Sequence, residues 1–524
     1  MVQPGEIRDG SQNQPDDVPI DYTVPHVSIW KASHLWKATF CVVCLCLFSS
    51  ANGYDGSLLN GLQSLDTWQE FMNHPTGAWL GFINAIYWIG TFVGALVAAW
   101  TSNRFGRKAG VFVGLFLVSV GTAVQAAAPN DIAFIIARLI VGSSSGFLNN
   151  TAPLLLNEIS YPIHRPVANA LFMCGYYLGA VIAAWVTFGT RVLDSSWSWR
   201  IPSITQMICP VLALPALLIV PESPRWLVSV NRVPDARAAL ADLHASGDTN
   251  SPVVNHQLIE IQHTLELEEE NATTSGFAEM ISTPGNRHRL FITVSVGFYA
   301  QWVGNVVVSY YLALVLEGVG ITQTKDQLLI SGCLQIWNLI FATVGASLVE
   351  KVGRRTLFLL SGAIMFVSYI TIAGLSGGFY TTHHQSIGTA VVPFLFLYFA
   401  GYDIALTPLL TAYPCEVWPF RLRSRGLSIA WISVVFGNMF NTFVNPIALD
   451  SIGWKYYFVF VAVLIAYEIT VYLAYPETRG HTLEDMAMLF DKDVDVIVVR
   501  DRDRDSPATD ELDKAGSAEL VERV

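Results

Sequence analysis

Apolar side chains recur along this chain in runs of about twenty residues, the length a helix needs to cross the hydrocarbon core of a bilayer. The runs fall near 37–58, 78–100, 109–128, 131–155, 167–189 and 201–220. After a polar stretch they resume near 290–316, 327–349, 356–376, 388–412, 427–447 and 455–475. Twelve spans, divided six and six, predict an all-α membrane protein of two six-helix bundles. The polar segments complete the plan: a disordered N-terminus (1–36), a first bundle (37–220), a linker (221–286), a second bundle (287–485) and a disordered tail (486–524). The linker carries an acidic helical stretch from Leu258 to Glu270. The first 36 residues show no charged n-region followed by an apolar h-region, so the first span is expected to act as signal and to stay in the membrane.

Composition agrees with this pattern. Of 524 residues, 52% are hydrophobic and only 14% charged, against about 25% charged in ordinary soluble chains. The formal net charge of −12 argues against nucleic-acid binding, which calls for a basic surplus. From Asp491 onward the tail holds eleven acids and six bases, so much of the acidity belongs to it and implies no partner. Most of the seven cysteines lie inside apolar runs and form no disulfide framework. Cys41, Cys44 and Cys46 have ligand-like spacing but no His or carboxylate beside them; they read as small hydrophobes, and no metal or cofactor is expected.

Lys and Arg set the expected orientation. They crowd the loops after spans 2 (Arg104, Arg107, Lys108), 8 (Lys351, Arg354, Arg355) and 10 (Arg421, Arg423, Arg425), and are absent from those after spans 1, 3 and 9. Even-numbered loops and both termini are therefore expected in the cytoplasm, leaving the sequon at Asn271 unglycosylated.

The chain also repeats itself. Arg104-Phe-Gly-Arg-Lys108 returns as Lys351-Val-Gly-Arg-Arg355, with glycines 247 residues apart. Glu158, followed by Arg165, returns 258 residues later as Glu416, followed by Arg423. Pro221-Glu222-Ser-Pro-Arg returns as Pro476-Glu477-Thr-Arg, with the glutamates 255 apart. Three pairs in one order and at nearly one offset indicate two homologous halves, with a binding site between them near the midplane. Arg104, Arg107, Glu158, Arg165, Glu222, Glu350, Arg354, Glu416, Arg423 and Glu477 then form a candidate cytoplasmic gate. Guanidinium–carboxylate pairs there would latch the bundle ends together and release them when the cavity opens inward; the plainer role for the bases is to set topology.

These motifs, with Pro221-Glu-Ser-Pro-Arg-Trp-Leu227, Glu350-x-x-Gly-Arg-Arg355 and Pro476-Glu-Thr-Arg-Gly-His-Thr-Leu-Glu484, resemble those of the sugar porters of the major facilitator superfamily, over about residues 37–485. Trp197-Ser-Trp-Arg-Ile-Pro202, Gln301-Trp-x-Gly-Asn305 and Gln335-Ile-Trp-Asn338 are most similar to its fungal lactose-permease and hexose-transporter branch. The resemblance implies a plasma-membrane carrier for a mono- or disaccharide, often proton-coupled, with no obligate protein partner evident. It also places Asp55 and Arg138 at the family's proton-coupling pair, and Gln301 and Asn338 at sugar-binding positions, with Asn305 one residue off a third. Four positions depart from the pattern: Asn103 replaces an Asp, Pro166 a Gly, Met173 a sugar-binding amide and Thr411 a Trp.

The polar positions inside the spans point the same way. Amides donate and accept hydrogen bonds at once, as hydroxyl-rich ligands require. Gln301, Asn305 and Ser309 recur at i, i+4, i+8; Gln335 and Asn338 at i, i+3; Asn438, Asn441 and Asn445 at i, i+3, i+7; and Asp403, Thr407 and Thr411 at i, i+4, i+8. Each set predicts one helix face turned to a cavity or, alternatively, to a neighbouring helix. Trp88, Trp302, Tyr310 and Tyr311 would supply stacking or packing. Asp55 and Arg138 are costly at mid-membrane unless paired. Gly142-Ser-Ser-Ser-Gly146 fits a hydrolase pattern but lies mid-span, where small residues serve helix packing; His383-His384 has no third ligand nearby. The readings left in competition are a sugar:proton symporter, an uncoupled sugar facilitator, a carrier of another polyol-like metabolite, and a transport-inactive sugar sensor.

Overall fold

The computed structural model describes residues 35–274, 277–479 and 490. The expected disordered N-terminus and tail, and the last residues of the Pro476–Glu484 motif, lie outside them, as do the side chains of Glu350, Pro166 and Asn271. Within this range eleven helical stretches are long and apolar enough to cross a membrane. The last, Leu422–Ala474, runs for 53 residues. As one straight helix it would measure about 80 Å, more than twice a hydrocarbon core. It turns instead at Gly453, where a short 3₁₀ segment, Gly453–Tyr456, separates two helices. Divided there, the described residues offer twelve segments of crossing length, as the apolar runs predict.

The first bundle consists of α1 (Trp36–Leu62), a short α2 (Asp66–Phe71), α3 (Gly77–Phe105), α4 (Arg107–Ala127), α5 (Asp131–Ile159), α6 (Arg165–Thr190), α7 (Trp197–Thr205) and α8 (Ile208–Ile219). The linker folds as α9 (Pro224–Ser229), α10 (Val233–His244) and α11 (Pro252–Thr274). The second bundle consists of α12 (Pro284–Trp302), α13 (Asn305–Glu317), α14 (Thr324–Val352), α15 (Arg354–Thr382), a short α16 (Gln385–Thr389), α17 (Val391–Val417), α18 (Phe420–Ile452) and α19 (Tyr457–Ala474). Each bundle has its own apolar core, around Leu45, Leu155 and Leu217 in the first and around Phe358, Leu406 and Leu464 in the second. The linker helices pack on one another through Leu227, Leu240 and Leu258. They are tied to the first bundle by a Lys37–Asp242 ion pair and by His244, whose Nε2 lies 3.1 Å from the Ile159 carbonyl.

Two spans expected as single helices are broken. The sixth divides into α7 and α8 around Gln206 because Pro210, lacking an N–H, cannot serve the Gln206 carbonyl. The seventh divides into α12 and α13 at Gly304, whose φ of +106° is left-handed. Four carbonyls around the break accept from side chains of other helices: Ala300 from Tyr402 Oη (2.9 Å), Gln301 from Asn441 Nδ2 (2.7 Å), Val303 from Tyr398 Oη (3.3 Å) and Gly304 from Tyr369 Oη (2.7 Å). Non-helical backbone at membrane depth survives only where protein satisfies it in this way. The break corrects the expectation that Gln301, Asn305 and Ser309 share one helical face, since Gln301 lies in the last turn of α12 and Asn305 begins α13.

The bundles meet most tightly on the side opposite the linker. A kink at Tyr311 (φ −132°, ψ 30°) frees the Leu312 N–H, which donates to Asn60 Oδ1 at 3.1 Å. Gln63 Nε2 donates to the Tyr310 carbonyl at 2.8 Å. Gly81 of α3 lies against the Phe443 carbonyl of α18. The far-side seam is closed.

Candidate functional site

Glycine builds the linker-side rim. Gly106 and Gly353 are single-residue connections between long helices, with φ of +103° and +100°. Each turns the chain so that the first N–H groups of the next helix converge on one carboxylate, a favourable place for an anion. In the first bundle Arg107 N and Lys108 N donate to Glu222 at 3.0 and 3.2 Å. In the second, Arg354 N and Arg355 N donate to Glu477 at 2.8 and 3.0 Å. The carboxylates sit so close that a Cβ on Gly106 or Gly353 would lie 2.4 or 2.7 Å from a carboxylate oxygen.

The guanidinium groups then reach sideways. Arg107 Nε and Nη2 donate to the two oxygens of Glu158 at 3.2 and 3.4 Å, while its Nη1 serves Asn103 Oδ1 and the Ser102 carbonyl. Arg354 holds Glu416 through Nε and Nη2, the latter at 2.8 Å, and Thr478 Oγ1 adds a bond of 2.6 Å to the same carboxylate. Both pairs close within a bundle. This corrects the expectation of a latch running from one bundle to the other: each basic loop is held by a helix of its own half. Asn103, where the resembled family has Asp, still accepts from Arg107. Arg104 is exposed in the last turn of α3, Arg165 donates to the Ser160 carbonyl at 3.3 Å, and Arg423 lies in the first turns of α18.

The two rim glutamates shift in opposite directions. Burial raises Glu222 above the ordinary carboxylate range, despite opposing bonds from the Ser223, Lys108 and Arg107 N–H groups. Burial also pushes Glu477 up, but the N–H groups of Arg479, Arg354, Arg355 and Thr356 outweigh it and leave it below that range.

At membrane depth the structure brings Asp55 of α1 and Arg138 of α5 together. Arg138 Nη1 donates to Asp55 Oδ1 at 2.5 Å, and each side chain is only 1% exposed. The guanidinium carbon also lies 4.9 Å from the centre of the Tyr87 ring, a cation–π contact. Sequence reasoning missed Gln206, whose Nε2 donates to the same Asp55 oxygen at 3.2 Å. The available signal was an amide inside an apolar span four residues before a proline.

The amides divide between two uses. Asn441 braces the broken helix, and Asn445 accepts from Tyr456 at 2.8 Å; both are helix-to-helix bonds. Gln301 packs against Gly437, next to Asn438 on α18, and Gln335 and Asn338 lie buried on α14. Asn305 Oδ1, Asn338 Oδ1 and the indole N–H groups of Trp88 and Trp302 are buried with no hydrogen-bond partner. Such groups are expensive to leave unserved, and a hydroxyl-bearing ligand, which donates and accepts, suits them. The remaining departures, Met173 and Thr411, are half-buried.

The family description "Sugar (and other) transporter" matches residues 41–490. An MFS-type transporter, oryC, from Aspergillus oryzae is 28% identical, with 89% of this chain and 87% of the relative covered. The MFS glucose transporter mfs1 of Aspergillus flavus is 27% identical, with 87% and 90% covered. A high-affinity glucose transporter of Kluyveromyces lactis is 24% identical, with 88% and 86% covered. In fold the chain is similar to the partially occluded inward-open xylose transporter XylE from E. coli, with a TM-score of 0.70, 23% identity, and 86% of this chain and 100% of that one covered.

Proposed function

The chain belongs to the Sugar (and other) transporter family, and from that premise we propose that it is a plasma-membrane carrier of a mono- or disaccharide, working by alternating access and driven by protons. The observation that carries the substrate class is the set of buried, unserved amide and indole groups at Asn305, Asn338 and Trp302 of the second bundle and Trp88 of the first, with Gln301, Gln335 and Asn438 also on the second bundle. In this reading the linker side faces the cytoplasm, as the Lys and Arg of the even-numbered loops favour. The closed far-side seam then leaves the linker side as the one that can open. The chain's own relatives support the substrate class, since several are named glucose transporters; the lactose-permease likeness is looser.

Proton coupling rests on Asp55 and Arg138. A guanidinium at 2.5 Å pairs with Asp55 in a setting where an unpaired charge is costly. Proton and sugar arriving from outside would break the pair and let α1 move. Half-buried Met173 and Thr411, in place of a sugar-binding amide and a Trp, favour one further reading, a carrier of another polyol-like metabolite.

Uptake of radiolabelled mono- and disaccharides in a transporter-null yeast, with and without an inward pH gradient, tests both parts. The wild type should accumulate at least one sugar, and Asp55→Asn should abolish accumulation while sparing binding. A well-expressed protein that moves none of the panel ends the sugar reading. Accumulation by Asp55→Asn removes Asp55 as the coupling residue, and equilibration without accumulation by the wild type makes it a facilitator.

A further inference from the structure

A second carboxylate lies at membrane depth, and nothing in the reading above uses it. Asp403 of α17 is 0% exposed. Its Oδ1 accepts from Tyr177 Oη at 2.5 Å and from Thr407 Oγ1 at 2.9 Å. Its Oδ2 is buried with no hydrogen-bond partner. Tyr177 belongs to α6, so this contact crosses the seam between the bundles. Cys174 and Thr343, 4.0 Å apart across the same seam, lie on the adjoining turns.

Among the described residues no cation faces this carboxylate. The ionisable groups around it are phenols: Tyr176 and Tyr177 from α6, and Tyr398 and Tyr402 on its own helix. The helices packed on α17, namely α12, α13, α14, α15, α16 and α18, carry charged side chains only within two turns of their ends, and α16 carries none. Arg354 of α15 is spent on Glu416, thirteen residues or about 20 Å further along α17. The contrast with Asp55 is direct, because Asp55 has a guanidinium within bonding distance and Asp403 has only neutral hydroxyls. An ionised Asp403 would place a charge with no counter-ion among the described residues, and one bare oxygen, at a fully buried position. A proton on Oδ2 removes that charge and leaves both hydroxyl bonds to Oδ1 intact.

We propose that Asp403 is a second proton-binding site, carried on the second bundle, which holds its proton for as long as Tyr177 clasps it across the seam. When the bundles part on the linker side, Tyr177 leaves with α6 and water reaches the carboxyl. The O–H bond then breaks, the proton passes to water as hydronium, and the carboxylate remains solvated. A proton must be regained before the seam can close again. Tyr177 and Asp403 thus tie inward opening to proton release, separately from the Asp55–Arg138 pair.

The test needs no substrate, so its outcome is independent of whether the cargo is a sugar. Infrared difference spectra of the purified full-length protein, titrated from about pH 5 to about pH 9, report the C=O stretch of protonated carboxyl groups. The wild type should show such a band at neutral pH. Asp403→Asn should remove it, whereas Asp55→Asn and Glu468→Gln, which alters the half-buried carboxylate of α19, should retain it. Tyr177→Phe should shift the band's frequency, since the clasping bond is lost while the ring stays. A band that survives Asp403→Asn, or no band in the wild type, overturns the proposal. If Asp403→Asn does not fold, an unshifted band in Tyr177→Phe overturns it instead.

Discussion

At the linker-side rim the first bundle turns Gly106 over Glu222 and holds Arg107 on Glu158, and the second turns Gly353 over Glu477 and holds Arg354 on Glu416. At mid-membrane the likeness ends. The first bundle contributes a charged pair, Asp55 and Arg138, while the second contributes Gln301, Asn305, Gln335, Asn338 and Asn438 and a carboxylate without a cation. The rim is constrained in both halves by the same problem, two long helices joined through one residue, and one solution serves twice. The centre is where the proposed binding and coupling groups lie, and there the copies have diverged.

The largest expected effect lies in that divergence. If the second bundle alone reads the substrate, Gln301→Ala and Asn338→Ala should each strand hydroxyl groups at a cost of about 1–3 kcal/mol, which weakens apparent affinity about five- to a hundredfold. An unchanged half-saturation constant for uptake in both variants would sink that division of labour.

The next effect tests how alike the rims are. Alanine at Gly106 or Gly353 combines a left-handed backbone with a clash against a carboxylate, and should cost about 1–3 kcal/mol in each half. Gly106→Ala should lower the melting temperature of the purified protein further, because its Cβ would lie closer to the carboxylate, at 2.4 Å against 2.7 Å. Arg107→Ala should leave the balance of inward- and outward-facing states where it is, because its pair with Glu158 closes within one bundle; labelling of cysteines placed in the linker-side cavity reads this. Labelling that rises in that variant, at normal expression, would show that the rim arginines do latch the two bundles.

The smallest effect separates the two rim glutamates by pH. Glu222 is raised by burial, so its folded form binds the proton more tightly than the unfolded chain does, and its contribution weakens as pH rises above the ordinary carboxylate range. Glu477 is lowered, chiefly by backbone N–H groups against burial, so its contribution is present above that range and fades as pH falls through its folded value. Melting temperatures followed with pH should therefore respond in opposite senses to Glu222→Gln and Glu477→Gln. Slopes of one sign in both variants would mean that the two rims titrate alike.

Much of this was legible in the chain. Runs of apolar residues determined twelve crossings, because a bilayer accepts few ways of burying twenty such side chains. The repeated Gly-Arg and Pro-Glu motifs determined the rim, because a one-residue turn needs glycine and a helix start attracts a carboxylate. Asp55 and Arg138 were expected as partners since neither is tolerable alone in the membrane. Only the tertiary structure decided which half each rim pair closes within, since a motif's spacing says what can bond and not across which seam. It alone decided that the seventh span breaks at Gly304, as the break depends on three tyrosines and one asparagine from distant helices supplying its carbonyls. That same assembly spends Asn441 on backbone, and it sets Tyr177 of one bundle on Asp403 of the other. A side chain's periodicity fixes its face, but what waits opposite that face depends on packing between segments hundreds of residues apart.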